Sequence, residues 1–522
     1  MQYRALFLFT SAVALSLASG CGSDDDSVAG GAGAASGGKG GASAGVSGKA
    51  GDGNLAGSVN GGSAGEGDTT PSSAGASGAA DEPSSAGAGG EAGEPASPFS
   101  TLDGSMPLVI GHRGLPGLHP EETAASYDGA VAAGADSLEE DLHLTKDCVL
   151  VARHNPWLSD NTNITDVAAT NATVMARKRS VPGVSVAVTY SLTTYGGPAT
   201  YLSDLTDTAD QKSVLKSLIV DGEDHTNDWS ITDFTVSELK QWLAGTTYDA
   251  RDQRPTYENG KFPILTMQEI IDKAKAARAS TGRTITVYPE SKNPYWNNQQ
   301  AIANGCDTAG TQHPFEDAIL KLIKDNDLND KAAPILVQSF DPASLKYLRS
   351  IGLKTKAVQL IDGNDVNYET GEMIYQTNDV YNFVDGRPYS WTLAGDGRYF
   401  GEMLTPAGLA EIKTYADGIG PWKPQVMSWK AVPFKTGASF TSDVNTIAPT
   451  SLIADAHAAG LFVHSYTFRN EQKYLAAYYK GDPTAEYLQF FRAGIDGVFT
   501  DFANTGFAAR QLYLQELGEA TR

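Results

Sequence analysis

The sequence predicts an α/β protein: a (β/α)₈ TIM barrel with a subdomain inserted after its second strand and a disordered N-terminal tether. Three observations predict it. Eight short apolar or β-branched runs alternate with amphipathic helical stretches, the pattern of a parallel sheet built from βα units. One gap between runs, from His154 to Phe262, far exceeds the ~2–6 residues of an ordinary βα loop, as an insertion would. The first hundred residues share none of this pattern. A doubly wound open sheet is the alternative arrangement for the same alternation.

The eight runs are "MPLVIGH", "DSLEEDLHL", "RTITVYPE", "APILVQSF", "KTKAVQLI", "YADGIGP", "GLFVHSYTF" and "IDGVFTDF". Between them lie helical patterns such as "ETAASYDGAVAAG", "TMQEIIDKAKAARAS", "PFEDAILKLIKDND", "DPASLKYLRSIG" and "TSLIADAHAAG", several closing at Gly or Asn as helix C-termini do. Within the long gap, "VPGVSVAVTYSLTTYGG" reads as β-rich and "TVSELKQWL" as a short helix beginning near Ser237. An insertion after strand two overlies the C-terminal face of a barrel, where barrel active sites lie.

The N-terminus reads as a targeting segment. "MQYRALFLFTSAVALSLASGCG" pairs a charged start at Arg4 with a short apolar stretch and small residues before Cys21. Ala18-Ser19-Gly20-Cys21 resembles a bacterial lipobox, after which the cysteine is lipidated; an ordinary secretory signal cleaved nearby is the plainer reading. Either one sends the chain out of the cytoplasm. Residues 1–20 are thus expected to be a signal peptide and 21–100 a Gly/Ala/Ser-rich linker too poor in apolar side chains to offset ordering entropy. The barrel is expected over 105–515, with the insertion at about 157–260. Cys148 and Cys306 remain, and could pair in an oxidising compartment or stay as two thiols.

The formal net charge of −23 argues against a nucleic-acid binder, whose footprint is basic. It does not exclude a small cationic pocket, and the strand ends supply one. Strand one delivers His112 and Arg113. Strand two delivers Glu139 and Asp141, whose spacing puts both carboxylates on one face. Two acids on an interior face repel and desolvate each other unless a cation relieves them. Strand three ends "TVYPESKNP", adding Glu290 and, two residues on, Lys292. Three carboxylates without cysteine favour a hard divalent cation, Ca²⁺ or Mg²⁺, over zinc. "TKDCVLVARHNPW" is expected to fold back as a hairpin and present His154. Two histidines can move protons, and Arg113 with Lys292 can hold anionic oxygens, so the set forms a phosphoryl-transfer constellation. Glu121 and Glu122 are candidates to cap the first helix, Glu121 alternatively to orient His112. His143 is a remote candidate for the metal, and His464 a hydrogen-bonded core residue.

At these residues the chain resembles the glycerophosphodiester phosphodiesterases. "GHRG", "PEET", "LEEDLHLTKD", "RHNPWL", "YPESK", "QSFD", "YADGIGP" and "DGVFTDF" stand in that family's order from about Leu108 to Ala503. The insertion and "VHSYTFRNE" make it look most like the bacterial periplasmic-type branch. The resemblance implies a (β/α)₈ barrel that hydrolyses glycerophosphodiesters to sn-glycerol 3-phosphate and an alcohol with a divalent ion. It puts the paired catalytic histidines at His112 and His154, the metal ligands at Glu139, Asp141 and Glu290, and phosphate contacts at Arg113 and Lys292. The attacking oxygen is water or the substrate's own neighbouring hydroxyl, with His112 the preferred base and His154 the acid. Four positions depart from the family's pattern. Asn155 stands for Asp after the second histidine, Glu122 for Asn in "PENT", Cys148 for Gly in a turn, and Tyr466 for a late-strand Trp. The alternative readings are a phospholipase D or sphingomyelinase-like enzyme acting on intact lipids, and a non-catalytic surface lipoprotein.

Overall fold

The structure is a computed structural model, and it describes residues 97–179, 219–221, 223–224, 227–247, 253–375, 386–438 and 443–521. The expected signal peptide, the tether and the β-rich reading of "VPGVSVAVTYSLTTYGG" lie outside the described residues.

Nine strands form one sheet. In chain order they are β1 (Leu108–Gly111), β2 (Ser137–Leu144), β3 (Leu150–Ala152), β4 (Thr286–Ser291), β5 (Leu336–Ser339), β6 (Lys356–Ile361), β7 (Gly418–Pro421), β8 (Phe462–Phe468) and β9 (Gly497–Thr500). All but β3 are parallel to their neighbours, and β1 pairs with both β9 and β2, so the eight parallel strands close into a barrel. They are the eight apolar runs read from the sequence. β3 pairs antiparallel with β2, Leu142 opposite Ala152, as the expected hairpin. The parallel strands are buried almost throughout because outer helices cover one face and interior side chains fill the other.

Local chemistry sets the helix ends. The first helix, α1 (Ala124–Ala132), is capped by Thr123, whose hydroxyl accepts from the Ser126 amide; neither Glu121 nor Glu122 caps it. The inserted segment carries α2 (Val236–Trp242), which begins one residue before the expected Ser237 behind a Thr235/Glu238 capping box. α3 (Met267–Thr281) opens on a Thr266/Glu269 capping box and closes on Gly282 in the left-handed conformation.

The described residues form two hydrophobic clusters. The larger is the barrel and its helices. The smaller packs Trp157, Leu158, Trp229, Phe234, Leu239 and Trp296 together, which gives the insertion a core of its own beside β3. Cys148, at the tip of the β2–β3 hairpin, is disulfide-bonded to Cys306, 158 residues away. Cys148 has φ +66°, a conformation that favours glycine, which accounts for the glycine the family prefers there. A cross-link closing so long a loop restricts the unfolded chain strongly. Replacing both cysteines by serine is expected to cost about 2–5 kcal/mol of unfolding free energy, read from denaturant titration.

Candidate active site

The site is built at the C-terminal ends of β1, β2, β4 and β5. Strand register brings the acids together: Asp141 on β2 sits opposite Glu290 on β4, and Glu290 opposite Gln338 on β5. Glu139, Asp141 and Glu290 are all buried, and each offers an oxygen within 4.8 Å of the others. Burial, then the neighbouring Asp141 carboxylate, pushes Glu139 well above the ordinary carboxylate range. Burial also pushes Glu290 from 4.5 to about 8, with Lys292 opposing. Such a cluster holds protons unless a cation replaces them. An all-oxygen, buried donor set of three carboxylates fits a hard divalent ion and could hold one.

Backbone and side-chain hydrogen bonds hold the ligands. The Arg113 amide donates to Glu139 Oε2 at 2.7 Å, and Gln338 Nε2 donates to Glu139 Oε1 at 3.0 Å. The Asp141 amide donates to Glu122 Oε1 at 2.8 Å. Arg113 and Glu122 both have positive φ, 54° and 56°, a cost of order 1–3 kcal/mol each for non-glycine residues. That strain is spent where the backbone must turn its amide or side chain onto a ligand. Gly114 follows at φ +93°, where a Cβ would meet the Ser126 backbone at 2.6 Å. The loop thus turns tightly enough to return Arg113 to the acids.

Arg113 lies beside the acids. Its Nε is 2.9 Å from Asp141 Oδ2, and its Nη1 is 3.3 Å from Glu121 Oε1. Lys292 stands farther off, 3.6 Å from Glu290 and 3.9 Å from Asp141. Both line the main pocket, together with His112, Glu139, His154 and Glu290. His154 follows β3, so one hairpin carries Glu139, Asp141 and His154, and the Arg153 amide just before it donates to the Asp141 carbonyl. The pocket is also lined by Trp157, Phe340, Tyr389 and Tyr466, with Asp221 and Asp362. Tyr466, at the departure from the family's Trp, donates its hydroxyl to the Ile361 carbonyl and Asp362.

Several residues sort differently from their sequence-based candidacy. Glu121, a candidate to orient His112, accepts from Arg113 and from Asn161 of the insertion. His112 is oriented by Asp501, whose Oδ1 lies 2.6 Å from His112 Nδ1. His143 is buried, with Nδ1 2.9 Å from the Asn297 amide and Nε2 3.2 Å from the His154 carbonyl, and burial lowers it to about 4. His464 is the expected core histidine, paired with the Tyr288 hydroxyl at 3.1 Å. Asn155 donates to Asp160.

Sequence reasoning missed Asp501, Arg469, Arg254 and Gln338. Asp501 has a signal, since "FTDF" is another strand end that delivers a polar group. Gln338 has the same one in "QSFD". Arg254 has none, because it lies in an irregular stretch of the insertion. Asp501 is buried, yet it stays well below the ordinary carboxylate range because Arg254 and Arg469 both face it.

A closed parallel barrel with buried acids and histidines at the C-terminal ends of its strands defines a barrel hydrolase-type site. The sequence profile of the glycerophosphoryl diester phosphodiesterase family matches residues 112–505, and the chain belongs to that family. It is 31% identical over 413 residues to glycerophosphodiester phosphodiesterase GDPD6 of Arabidopsis thaliana, covering 77% of this chain and 86% of the relative. A glycerophosphodiester phosphodiesterase of Haemophilus influenzae is 26% identical over 413 residues, covering 76% and 88%. Among solved structures, a glycerophosphoryl diester phosphodiesterase of Silicibacter pomeroyi aligns at 17% identity with a TM-score of 0.43, covering 81% of this chain and all of its own.

Proposed function

We propose that this phosphodiesterase uses a divalent cation and two histidines to hydrolyse glycerophosphodiesters to sn-glycerol 3-phosphate and an alcohol. The observation that carries the reading is the pocket itself, where three clustered carboxylates adjoin two histidines from different strands. Glu139, Asp141 and Glu290 would hold the ion, Ca²⁺ or Mg²⁺. When bound, it would draw charge from the phosphoryl oxygens.

The chain's own groups do the rest. Asp501 is ionised, so it can only accept, and His112 must carry its proton on Nδ1. Nε2 would then be the nitrogen that exchanges a proton with substrate, which is consistent with His112 as the base. His154, which lines the same pocket, would protonate the leaving alkoxide. Arg113 and Lys292 would hold the remaining phosphoryl oxygens; Lys292 stands 3.6 Å from Glu290 and 3.9 Å from Asp141. The attacker is water or a neighbouring substrate hydroxyl.

The test is release of glycerol 3-phosphate from glycerophosphocholine by the purified protein, with and without a chelator. We expect release that the chelator abolishes and Ca²⁺ or Mg²⁺ restores. No release in either condition removes the reading, and a cyclic lipid phosphate formed from intact phospholipid replaces it with a lipid-cleaving one.

We also propose the periplasmic-type branch, on the strength of the long insertion and "VHSYTFRNE". The same reading makes residues 1–20 a signal peptide and Cys21 the lipidated anchor in a bacterial membrane. Residues 22–98 carry ten acids against Lys39 and Lys49, so they would repel one another and hold the barrel off that surface, outside the cytoplasm. Labelled fatty acid should enter the wild-type chain and not Cys21→Ala; label in both, or in neither, counts against the anchor.

A further inference from the structure

Beyond the residues that line the pocket, the inserted segment contacts the groups around Arg113 and His112. Near its start, Asn161 donates to Glu121, which in turn faces Arg113. Near its end, Arg254 is buried against the barrel with a carboxylate on each side. Its Nε donates to Glu471 Oε1 at 2.6 Å, and its Nη2 to Asp501 Oδ2. Arg469, just past β8, donates through Nε to the same Oδ2 at 2.8 Å. The two oxygens of Asp501 are thereby divided, Oδ1 taking His112 and Oδ2 taking two guanidinium groups.

We propose that Arg254 is a positioning residue: by clamping Oδ2 of Asp501 it fixes the carboxylate that holds the ring of His112. The inference rests on the catalytic role proposed above for His112. Arg469 alone gives Oδ2 one charged donor and leaves Glu471 facing Asp501 without the cation between them. The carboxylate would then be repelled by its neighbour and could turn about its own bond, carrying Oδ1 off His112 Nδ1. With Arg254 present, two cations and two carboxylates balance, which is the condition for burying such charges without a large penalty. Neither Arg254 nor Asp501 lines the pocket, so Arg254 acts through the carboxylate rather than on substrate. The same placement makes the insertion part of the catalytic apparatus: without it, the barrel lacks one of the two donors on Oδ2.

The test compares wild type, Arg254→Gln and Arg254→Lys in the full chain with glycerophosphocholine and Mg²⁺ or Ca²⁺. A ring displaced by a fraction of an ångström to 1 Å costs up to about 10²-fold in rate. We expect Arg254→Gln to lower kcat by about 10–100-fold with KM within about threefold of wild type, and Arg254→Lys to recover part of the loss. In an Asp501→Asn background, Arg254→Gln should cost nothing further. An independent readout is ¹⁵N-histidine NMR: wild type should show His112 protonated on Nδ1, and Arg254→Gln a mixture of tautomers. If Arg254→Gln fails to fold, Arg254→Lys carries the comparison, with reduced kcat at wild-type KM as the supporting result. Wild-type kcat in both variants, an equal loss in the Asp501→Asn background, or an unchanged His112 tautomer overturns the proposal. Wild-type protein inactive on the substrate overturns the catalytic reading instead, and the NMR comparison still decides whether Arg254 holds His112.

Discussion

Glutamine in place of His112 or of His154 is expected to lower kcat on glycerophosphocholine by about 10²–10⁴-fold, the range for losing one positioned proton carrier. KM should change little, because Arg113, Lys292 and the bound ion would still hold the phosphoryl group. The two losses should not multiply. Once one proton transfer is lost, a residual rate set by charge stabilisation remains, and removing the second histidine takes little more from it. The assay is steady-state release of glycerol 3-phosphate by the two single variants and the double variant. A kcat within threefold of wild type in either single variant would sink that histidine's role. The single variants also separate the roles. Substrates with a good leaving group, such as a nitrophenyl ester, need no proton on the departing oxygen, so they should rescue the variant lacking the acid and not the one lacking the base.

The second large effect concerns the cation and pH together. Burial raises Glu290 from 4.5 to about 8 and raises Glu139 in the same direction. A carboxyl whose folded-state pKa is raised stabilises the fold below its unfolded pKa, and that stability is lost as pH rises through the folded value. The chelated protein should therefore lose stability between about pH 4.5 and pH 8. A divalent ion reverses this, because it binds the ionised acids. At a hundred times its Kd it should add about 2.7 kcal/mol, and the increment in Tm should be larger at pH 8 than at pH 5. Glu290→Gln removes one ionisable ligand, so it should flatten the pH dependence of the chelated protein and weaken the response to cation. Thermal denaturation with chelator or cation at several pH values measures all of this. A Tm rise on added cation that is the same at pH 5 and pH 8 would speak against these acids as its ligands.

Much of the barrel was legible because its evidence is local. Most strands are short apolar or β-branched runs, and several caps are short chemical signatures such as Thr266 with Glu269. The Glu139/Asp141 pair was legible for the same reason, since alternation along one strand is a property of neighbours. His154 could be placed because the hairpin that returns it is only a few residues long. What was not legible depends on long closures. Asp501 stands 389 residues from His112, and only closure of β9 onto β1 makes them adjacent. Its strand end carried the same kind of signal as the first three, and reading all eight ends would have raised it as a candidate. Glu121 was a natural candidate for a partner of His112 by proximity along the chain, whereas the carboxylate on His112 Nδ1 comes from the end of the last barrel strand. Cys148 and Cys306 show the same limit, since no spacing in a sequence says that the two Cα atoms lie 5.6 Å apart.

That cross-link has a further consequence for how the molecule meets proteases. Its covalent ring runs from Cys148 to Cys306 and encloses β3, the whole insertion, β4 and the helix Pro294–Ala303. A peptide bond hydrolysed anywhere within that ring yields two fragments that stay joined under oxidising conditions. Outside the reducing cytoplasm, a nicked chain would therefore keep Glu139 and Asp141 on one piece covalently attached to Glu290 or its neighbours on the other, and come apart only when a thiol is supplied.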